Sequence, residues 1–311
     1  MSGDALTELT LARPAALGAA PTTTARARRQ VAADLVALTK PRVVVMVLVT
    51  TLVGYYVALE TGPDWARLLH LLVGTLLAAG GTLALNQYWE RDVDARMERT
   101  RMRPLPGGRL APREALLFGG ALLGVGVAYL VALVGALPAA VTAATAVLYL
   151  FAYTPLKRRT PLCTVVGAVP GALPPVTGWV AARGELGAGA WILFGILFLW
   201  QLPHTLAIAR LYRDDYARAG VRVLPVVDAG AATERQIVSS CLALLAVSLL
   251  PTLVGLAGPV YFAGAFLLGA TFAALGARQA LEPSGPAARR VLLASLLYLP
   301  AVLALLALDK P

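Results

Sequence analysis

The segment "RLLHLLVGTLLAAGGTLALNQYWERDVD" (residues 67–94) is an apolar run that ends in a cluster of acids. Its apolar part, residues 67–88, is longer than the roughly 20 residues that an α-helix needs to cross the hydrocarbon core of a bilayer. Apolar residues also dominate the rest of the chain, because 58% of its 311 residues are hydrophobic and 14% are charged. With a mean hydropathy of +0.72, the composition excludes an ordinary soluble domain and predicts an all-α polytopic membrane protein.

Apolar runs of spanning length recur along nearly the whole sequence. We therefore expect a single transmembrane domain over residues 36–311, embedded in a lipid bilayer. Nine transmembrane helices are predicted, at residues 42–60, 67–88, 114–134, 137–153, 162–182, 189–210, 236–257, 259–277 and 289–308.

The basic residues indicate how this domain is oriented. If the N-terminus is cytoplasmic, 24 of the 27 Lys and Arg residues lie in the N-terminal segment or near cytoplasmic loops, and only Arg67, Arg183 and Lys310 lie outside. The positive-inside rule then predicts a cytoplasmic N-terminus and, after an odd number of helices, an external C-terminus. The same distribution accounts for the net charge of +10 without a nucleic-acid partner.

Residues 1–35 are rich in Ala, Thr and Arg and poor in acids after Glu8. This composition would suit a transit peptide, but it also suits a disordered cytoplasmic tail whose arginines reinforce the topology. No cleavable signal peptide is expected, because the first apolar run is long enough to span a membrane. We adopt the disordered basic tail as the prediction.

The acids at the end of the second predicted helix share one of its faces. Asn86, Glu90 and Asp94 follow one another at intervals of four residues, which places them at about 0°, 40° and 80° around the helix axis. Asp92 falls on the far side. Such a stripe of oxygen ligands can bind Mg²⁺, which uses a few carboxylates together with waters and substrate phosphates. The alternative is a solvated helix end whose acids pair with neighbouring arginines.

A basic loop, "RTRMRPLPGGR" (residues 99–109), directly follows this stripe. Polar groups near membrane depth are costly, so their presence indicates a functional site. Carboxylates that bind Mg²⁺ beside arginines that bind phosphate oxygens have the chemistry of a magnesium diphosphate site.

Two further cytoplasmic segments are charged, the first with both signs and the second with basic residues only. After the sixth predicted helix, Asp214 and Asp215 lie among arginines, which suggests two halves whose acidic clusters face one cavity. The loop after the fourth helix, "YTPLKRRTP", contributes Tyr153, Lys157 and Arg158. The alternative for this loop is a set of charges that only fixes topology.

Histidine occurs twice in the sequence. Only His204 is predicted on the cytoplasmic half of the bundle, since His70 lies on the outer half of the second helix. A lone histidine in a membrane helix can be a hydrogen-bonded packing residue or a ligand of a bound group. The adjacent Pro203 is expected to free a backbone carbonyl and bend the helix, which would widen a cavity locally.

From "LTKPRV", next to the first predicted helix, to the last helix, the sequence resembles the UbiA-type intramembrane prenyltransferases. The superfamily pattern Asn-x-x-x-Asp-x-x-x-Asp is matched by Asn86, Glu90 and Asp94, with Glu in place of the middle Asp. Three longer blocks, "MERTRMRPLP", "YTPLKRRTPLCTVVGAVPGALPPVTGW" and "LWQLPHTLAIARLYRDDYARAGVRVLPVV", are similar to the branch of this family that farnesylates heme. The second acidic motif departs from the Asp-x-x-x-Asp of many relatives, because Asp214 and Asp215 are adjacent.

This resemblance implies nine helices around a central cavity, in a bacterial-type inner (cell) membrane. It implies transfer of a farnesyl group from farnesyl diphosphate, held through Mg²⁺, to a vinyl group of heme b. Diphosphate would leave, the vinyl carbon would capture the allylic cation, and water would complete heme o, the precursor of the hemes of heme-copper terminal oxidases. Contact with the enzyme that receives heme o, or with oxidase assembly factors, is also implied.

The resemblance further implies a role for individual residues. Tyr153 would shield the cation with its ring face, and His204 would ligate or orient the porphyrin iron. The metal ligands would be Asn86, Glu90, Asp94, Asp214 and Asp215, which together with Tyr153 form the catalytic set. The substrate-binding residues would be Lys40, Arg101, Arg103, Lys157, Arg158, Trp200 and His204.

Two other functions agree with parts of the sequence. A prenyltransferase could act on an aromatic acceptor, as in quinone or chlorophyll synthesis, and the identity of the prenylated product distinguishes this case. A transporter would also have nine apolar helices, but it would distribute charged residues at the bilayer midplane, whereas here they concentrate at one level.

Overall fold

The computed structural model describes residues 22–228 and 231–311. Within these ranges the chain is helical apart from short connections, and nine helices are long and apolar enough to cross a membrane. The predicted number of spans is therefore confirmed. The first to ninth spans are Pro41–Ala58, Trp65–Asp94, Pro112–Leu133, Ala136–Leu156, Cys163–Arg183, Ala188–Leu211, Ala232–Leu253, Pro259–Leu281 and Gly285–Leu308.

The second span is longer than the sequence predicts. It begins after Asp64, whose side chain accepts a hydrogen bond from the backbone N–H of Arg67 at 2.9 Å. It continues through Asp94 instead of ending at residue 88. Hydropathy marks only the apolar part of a helix, and the polar last turns are helical here as well, so the predicted stripe of acids lies on regular helix.

The spans form two groups of neighbours. In the first group the second span packs against the third and the first span packs against the fifth. In the second group the sixth span contacts the seventh and the ninth, and the eighth packs between those two. The groups meet where the fifth span contacts the sixth and the ninth contacts the first. An apolar cavity lies between them, with walls from the first, second, fourth, fifth, sixth and ninth spans.

Small residues allow the second and third spans to approach closely. A Cβ atom added to Gly126 would lie 2.5 Å from the backbone nitrogen of Ala78, closer than real Cβ atoms come to a neighbour. Gly81 and Gly119 form a second close approach between the two spans, where a Cβ atom added to Gly81 would lie 2.6 Å from the carbonyl oxygen of Gly119. Since lipid gives helices no hydrophobic reason to associate, this backbone approach and its dispersion contacts hold the pair together.

The fourth span ends in a wide, π-helical turn, Leu148–Tyr153. Pro155, just beyond it, has no N–H to donate and disfavours the regular pattern of hydrogen bonds before it. The carbonyl of Tyr149 instead accepts from the N–H of Thr154 and, at 2.8 Å, from its hydroxyl. Such turns occur often at functional sites, and this one carries Tyr149 and Tyr153 into the wall of the cavity.

Residues 22–35, predicted as part of a disordered tail, instead belong to a helix, Thr22–Leu38. Leu38 is fully buried against the loop that follows the second span. The carboxylate of Asp34 accepts from Arg109 Nε at 3.0 Å. These tertiary contacts offset the entropy of ordering the segment, and composition alone does not reveal them. The remainder of the predicted tail lies outside the described residues.

Candidate active site

Three loops, which follow the second, fourth and sixth spans, meet at one end of the bundle. The backbone N–H of Arg222 donates to the carbonyl of Lys157 at 2.7 Å. The backbone N–H of Glu98 donates to the carboxylate of Asp215 at 2.9 Å. The polar segments that stand out in the sequence are therefore neighbours in space. We call this end of the molecule the loop end, and its three loops comprise residues 95–111, 157–162 and 212–223.

The second span presents Asn86, Glu90 and Asp94, here called the polar stripe, at the loop end, and each of them meets a basic side chain from another segment. Lys40 Nζ donates to Asn86 Oδ1 at 3.0 Å. Lys157 Nζ lies 2.7 Å from Glu90 Oε1, and Arg103 NH1 lies 2.7 Å from Asp94 Oδ2. The structure thus brings together six of the residues predicted from the sequence, three polar groups and three cations: Asn86, Glu90, Asp94, Lys40, Arg103 and Lys157.

Lys40 reaches the stripe from an unusual backbone conformation. Its φ of 50° and ψ of 66° are left-handed, which costs free energy for a residue with a Cβ atom. Gln87 stabilises the preceding turn, because its Nε2 donates to the carbonyl of Leu38 at 2.8 Å. Burial, reinforced by the nearby cations of Arg103 and Lys157, lowers the pKa of Lys40 to about 7.

The polar stripe fits a magnesium diphosphate. Its three side chains are largely buried, and each has one oxygen in contact with a basic group that can equally bind a phosphate oxygen. Within residues 22–228 and 231–311, no three His, Cys, Asp or Glu side chains converge to hold a metal ion by themselves. Since Mg²⁺ commonly takes one or two carboxylates and completes its shell with water and substrate phosphates, this donor set suits an ion that arrives with its substrate.

Two tyrosine rings lie between the polar stripe and the cavity. Lys157 Nζ lies 4.4 Å from the centroid of the Tyr153 ring, and the rings of Tyr149 and Tyr153 are 5.2 Å apart. Tyr153 also packs on Gly167, where a Cβ atom would collide with the ring. The geometry therefore offers aromatic faces to a cation formed next to the stripe.

The acidic pair that follows the sixth span has different partners. One carboxylate oxygen of Asp215 accepts from Glu98 N and, at 2.5 Å, from Arg218 NH2, and the other accepts from Arg99 N at 3.4 Å. The backbone donor of Glu98, followed by Arg218 and Arg99, lowers the pKa of Asp215 below its ordinary value. Asp214 is exposed. Asp215 thus joins two loops. The metal role predicted for Asp214 and Asp215 stays a prediction.

Two predicted phosphate ligands lie apart from the polar stripe. Arg101 is exposed and pairs with Glu98. Arg158 is also exposed, next to the buried ammonium of Lys157. Neither forms a hydrogen bond or ion pair with the stripe, so their role as substrate ligands remains a prediction.

The cavity between the two groups of spans has a volume of about 550 Å³. That size is typical of pockets for small molecules and cofactors. Threonine and small apolar side chains cover most of its wall. Tyr149 and Tyr153 lie on one part of the wall, and Trp200 and His204 of the sixth span lie on another.

His204 is held by its neighbours on two sides. Its ring stacks on Trp200, with centroids 4.8 Å apart and planes inclined by 20°. Its Nδ1 lies 2.7 Å from the hydroxyl of Ser295 on the ninth span. The sixth span continues through Pro203 as a helix to Leu211, so the proline does not interrupt it. Trp200 and His204, both predicted to bind substrate, are thus packed against each other on the sixth span.

Comparison with known proteins places this arrangement in a family. Residues 47–304 match the profile of the UbiA prenyltransferase family. The chain belongs to this family. A curated relative from Solibacter usitatus (strain Ellin6076), named "Protoheme IX farnesyltransferase", is 49% identical over 288 residues, which cover 89% of this chain and 99% of the relative. A relative of the same name from Koribacter versatilis (strain Ellin345) is 44% identical over 289 residues, covering 89% and 93%.

Solved structures confirm the fold of this UbiA prenyltransferase family member. A digeranylgeranylglyceryl phosphate synthase superposes with a TM-score of 0.77 at 17% identity, covering 90% of this chain and 98% of that chain. A UbiA homolog from Archaeoglobus fulgidus, bound to GPP and Mg²⁺, superposes with a TM-score of 0.60 at 17% identity, covering 88% and 99%. The all-helical architecture with nine spans is thus that of the family.

Sequence reasoning missed three residues of the site in this UbiA prenyltransferase. Tyr149 is four residues before Tyr153, a spacing that places both on one side of a helix and could have identified it. Thr154, whose hydroxyl accepts from Asn86 Nδ2 at 3.2 Å, has no distinctive signal. Ser295 is a polar residue within the apolar ninth span, a feature that indicates an interior position.

Proposed function

We propose that the chain transfers the farnesyl group of farnesyl diphosphate to a vinyl carbon of heme b, giving heme o and diphosphate. The observation that carries this proposal is the identity of 42–49% to several proteins named "Protoheme IX farnesyltransferase" over most of the chain. The geometry agrees, because a polar site with both charge signs adjoins an apolar cavity.

The donor diphosphate would bind at the polar stripe. Glu90, Asp94 and Asn86 would hold Mg²⁺, which would supply neutralising charge to the diphosphate as the carbon–oxygen bond breaks. Lys157 and Arg103 would move from their carboxylate partners to the phosphate oxygens. Lys40, which directly precedes the first span and contacts Asn86, would bind the diphosphate as well. The A. fulgidus structures, bound to GPP and Mg²⁺ or to DMAPP and Mg²⁺, support binding of a prenyl diphosphate together with Mg²⁺ in this fold.

The chain would then protect and direct the carbocation. When the bond breaks, its electron pair leaves with the diphosphate and the farnesyl carbon becomes an allylic cation. The ring faces of Tyr149 and Tyr153 would stabilise that charge, and the apolar cavity wall would exclude water until carbon–carbon bond formation. The vinyl group supplies the electron pair for the new bond, after which water adds to the adjacent carbon and loses a proton.

The acceptor would occupy the part of the cavity near the sixth and ninth spans. His204 and Trp200 face this space together, and the polar stripe lies toward the loop end beyond the tyrosines. We propose that His204 binds the porphyrin iron and that Trp200, by stacking, fixes the plane of the His204 imidazole. Arg42, which lines the same cavity, has the charge to meet a heme propionate.

A direct assay tests the reaction. Membranes or purified protein with Mg²⁺ are incubated with farnesyl diphosphate and either heme b or hydroxybenzoate, and the products are identified by mass. We expect heme b to gain a farnesyl group and, from water, a hydroxyl group, with no prenylated hydroxybenzoate. A prenylated aromatic acid in the absence of heme o would replace the proposal with the aromatic-acceptor function.

The chain is a multi-pass membrane protein, and we propose that it lies in the inner membrane with its loop end in the cytoplasm. Cysteine substitutions at the exposed positions Arg101, Arg158 and Asp214 should react with an impermeant reagent from the cytoplasmic face only. A cysteine at Glu185, between the fifth and sixth spans, should react only from the other face. The native Cys163 and Cys241 are buried, so they give little background. Labelling of the first three positions from outside would reverse the topology.

A further inference from the structure

Ser295 is fully buried in the ninth span and makes three hydrogen bonds that involve the sixth span or its own helix. Its hydroxyl donates to the carbonyl of Leu292 at 2.6 Å. The same oxygen lies 2.7 Å from His204 Nδ1. Its backbone carbonyl accepts from Trp200 Nε1 at 2.8 Å. One residue thus contacts both members of the stacked Trp200–His204 pair.

These contacts favour one of the two neutral tautomers of His204. A serine hydroxyl has one proton, and here that proton is directed to the carbonyl of Leu292. The oxygen then accepts from His204, an arrangement that assigns the imidazole proton to Nδ1. The lone pair is then on Nε2, and among the described residues none donates a hydrogen bond to that atom.

The position of Nε2 matters because His204 lines the cavity. Leu296 and Leu299, from the same helix as Ser295, line it as well and give an apolar wall next to the imidazole. A neutral imidazole with a free lone pair on one nitrogen is the form in which histidine binds a metal centre. Hydrogen bonding at the other nitrogen fixes the ring and increases the basicity of the ligand atom.

We propose that Ser295 is a positioning residue for acceptor binding: it holds His204 as the Nδ1–H tautomer so that Nε2 ligates the iron of heme b. The inference rests on the proposed function, since it assumes that heme b is the acceptor. Trp200 contributes by stacking, and its own hydrogen bond to the Ser295 backbone keeps the two helices in register.

The test measures heme binding directly and does not depend on turnover. The full chain in detergent is titrated with heme b, the Soret band gives the affinity, and resonance Raman spectra of the ferrous complex give the iron–histidine stretching band. We expect Ser295→Ala to weaken heme binding about tenfold and to shift the iron–histidine band to lower frequency, because the other ring nitrogen of His204 loses its hydrogen-bond acceptor. Ser295→Thr keeps the hydroxyl and should keep both properties.

Two controls separate positioning from general packing. Ser248 is also fully buried, and its hydroxyl bonds to Tyr298 of the ninth span at 2.7 Å, so Ser248→Ala removes a comparable buried hydroxyl away from His204. We expect this variant to retain the heme affinity and the Raman band. His204→Ala should lose the band altogether. Binding of a farnesyl diphosphate analogue should be the same in all these variants.

The outcomes distinguish this inference from the proposed function. Wild-type spectra without an iron–histidine band, or an unchanged band in Ser295→Ala, overturn the role of Ser295 even if heme o is formed. Absence of heme o formation by the wild type, with the predicted spectra intact, would instead contradict the proposed reaction. If Ser295→Ala gives too little folded protein, Ser295→Cys supplies a weaker acceptor of similar size and should shift the band in the same direction.

Discussion

The polar stripe of the second span and the acidic pair that follows the sixth span hold their carboxylates in different ways. Glu90 and Asp94 are bound by cationic side chains from two other segments. Asp215 is bound mainly by backbone N–H groups of the loop beside it, and Asp214 is exposed.

This difference indicates that the polar stripe can bind a ligand, whereas Asp215 holds two loops together. A carboxylate paired with a mobile ammonium or guanidinium group can exchange that partner for a metal ion while the cation binds phosphate. A carboxylate that accepts from backbone donors cannot leave them without breaking the hydrogen bonds that connect two loops. We therefore expect the stripe to act in catalysis and Asp215 to act by holding the loop end together.

The largest effect is expected at the stripe. Glu90→Gln and Asp94→Asn each remove a charge that would bind Mg²⁺, so heme o formation should fall at least about a hundredfold. Asp92→Asn is a matched control, because Asp92 is on the same helix but its side chain is highly exposed on the far face. Removal of divalent metal with EDTA should abolish wild-type activity, and added Mg²⁺ should restore it. Full activity of Glu90→Gln in excess EDTA would exclude the metal assignment.

A smaller effect is expected where aromatic faces adjoin the stripe. Tyr153→Leu removes the ring near Lys157 and should lower the turnover number about tenfold, a typical contribution of a desolvated cation–π contact. Tyr153→Phe keeps the ring and should stay within about threefold of the wild type. If Phe and Leu reduce turnover equally, the hydroxyl and not the ring face is the active element.

The acidic pair should affect stability more than chemistry. Asp215→Ala leaves the N–H groups of Glu98 and Arg99 without their acceptor, so the melting temperature in detergent should fall by a few degrees. Activity of the folded fraction, measured well below that temperature, should fall by less than about fivefold. A loss of activity as large as that of Glu90→Gln, without a change in melting temperature, would show that Asp215 binds the substrate or metal.

Asp214 should have the smallest effect. It is exposed and forms no hydrogen bond or ion pair with the stripe, so Asp214→Asn should leave activity and melting temperature within experimental error. Steady-state kinetics over a range of Mg²⁺ concentrations provide the check. An increased Mg²⁺ requirement in this variant would restore the symmetric two-cluster site that the sequence suggests.

Several features of the fold and site could be predicted because they depend on local order. The nine spans follow from the length of apolar runs, and the structure contains them within the described ranges. The common face of Asn86, Glu90 and Asp94 follows from the helical period alone. The helix Thr22–Leu38 was not predicted, since its polar composition is ordered by contacts with a distant loop.

Sequence alone thus determined the membrane setting, the spans and the candidate residue types, because bilayer thickness and helix geometry act on neighbours in the chain. The tertiary structure decided which charges meet. Lys40 and Asn86 are 46 residues apart and His204 and Ser295 are 91 residues apart, yet each pair is within hydrogen-bond distance. Such pairings depend on how the spans pack. No local pattern encodes whether a carboxylate will meet a cation from a distant loop, as Glu90 does, or the backbone N–H groups of one, as Asp215 does.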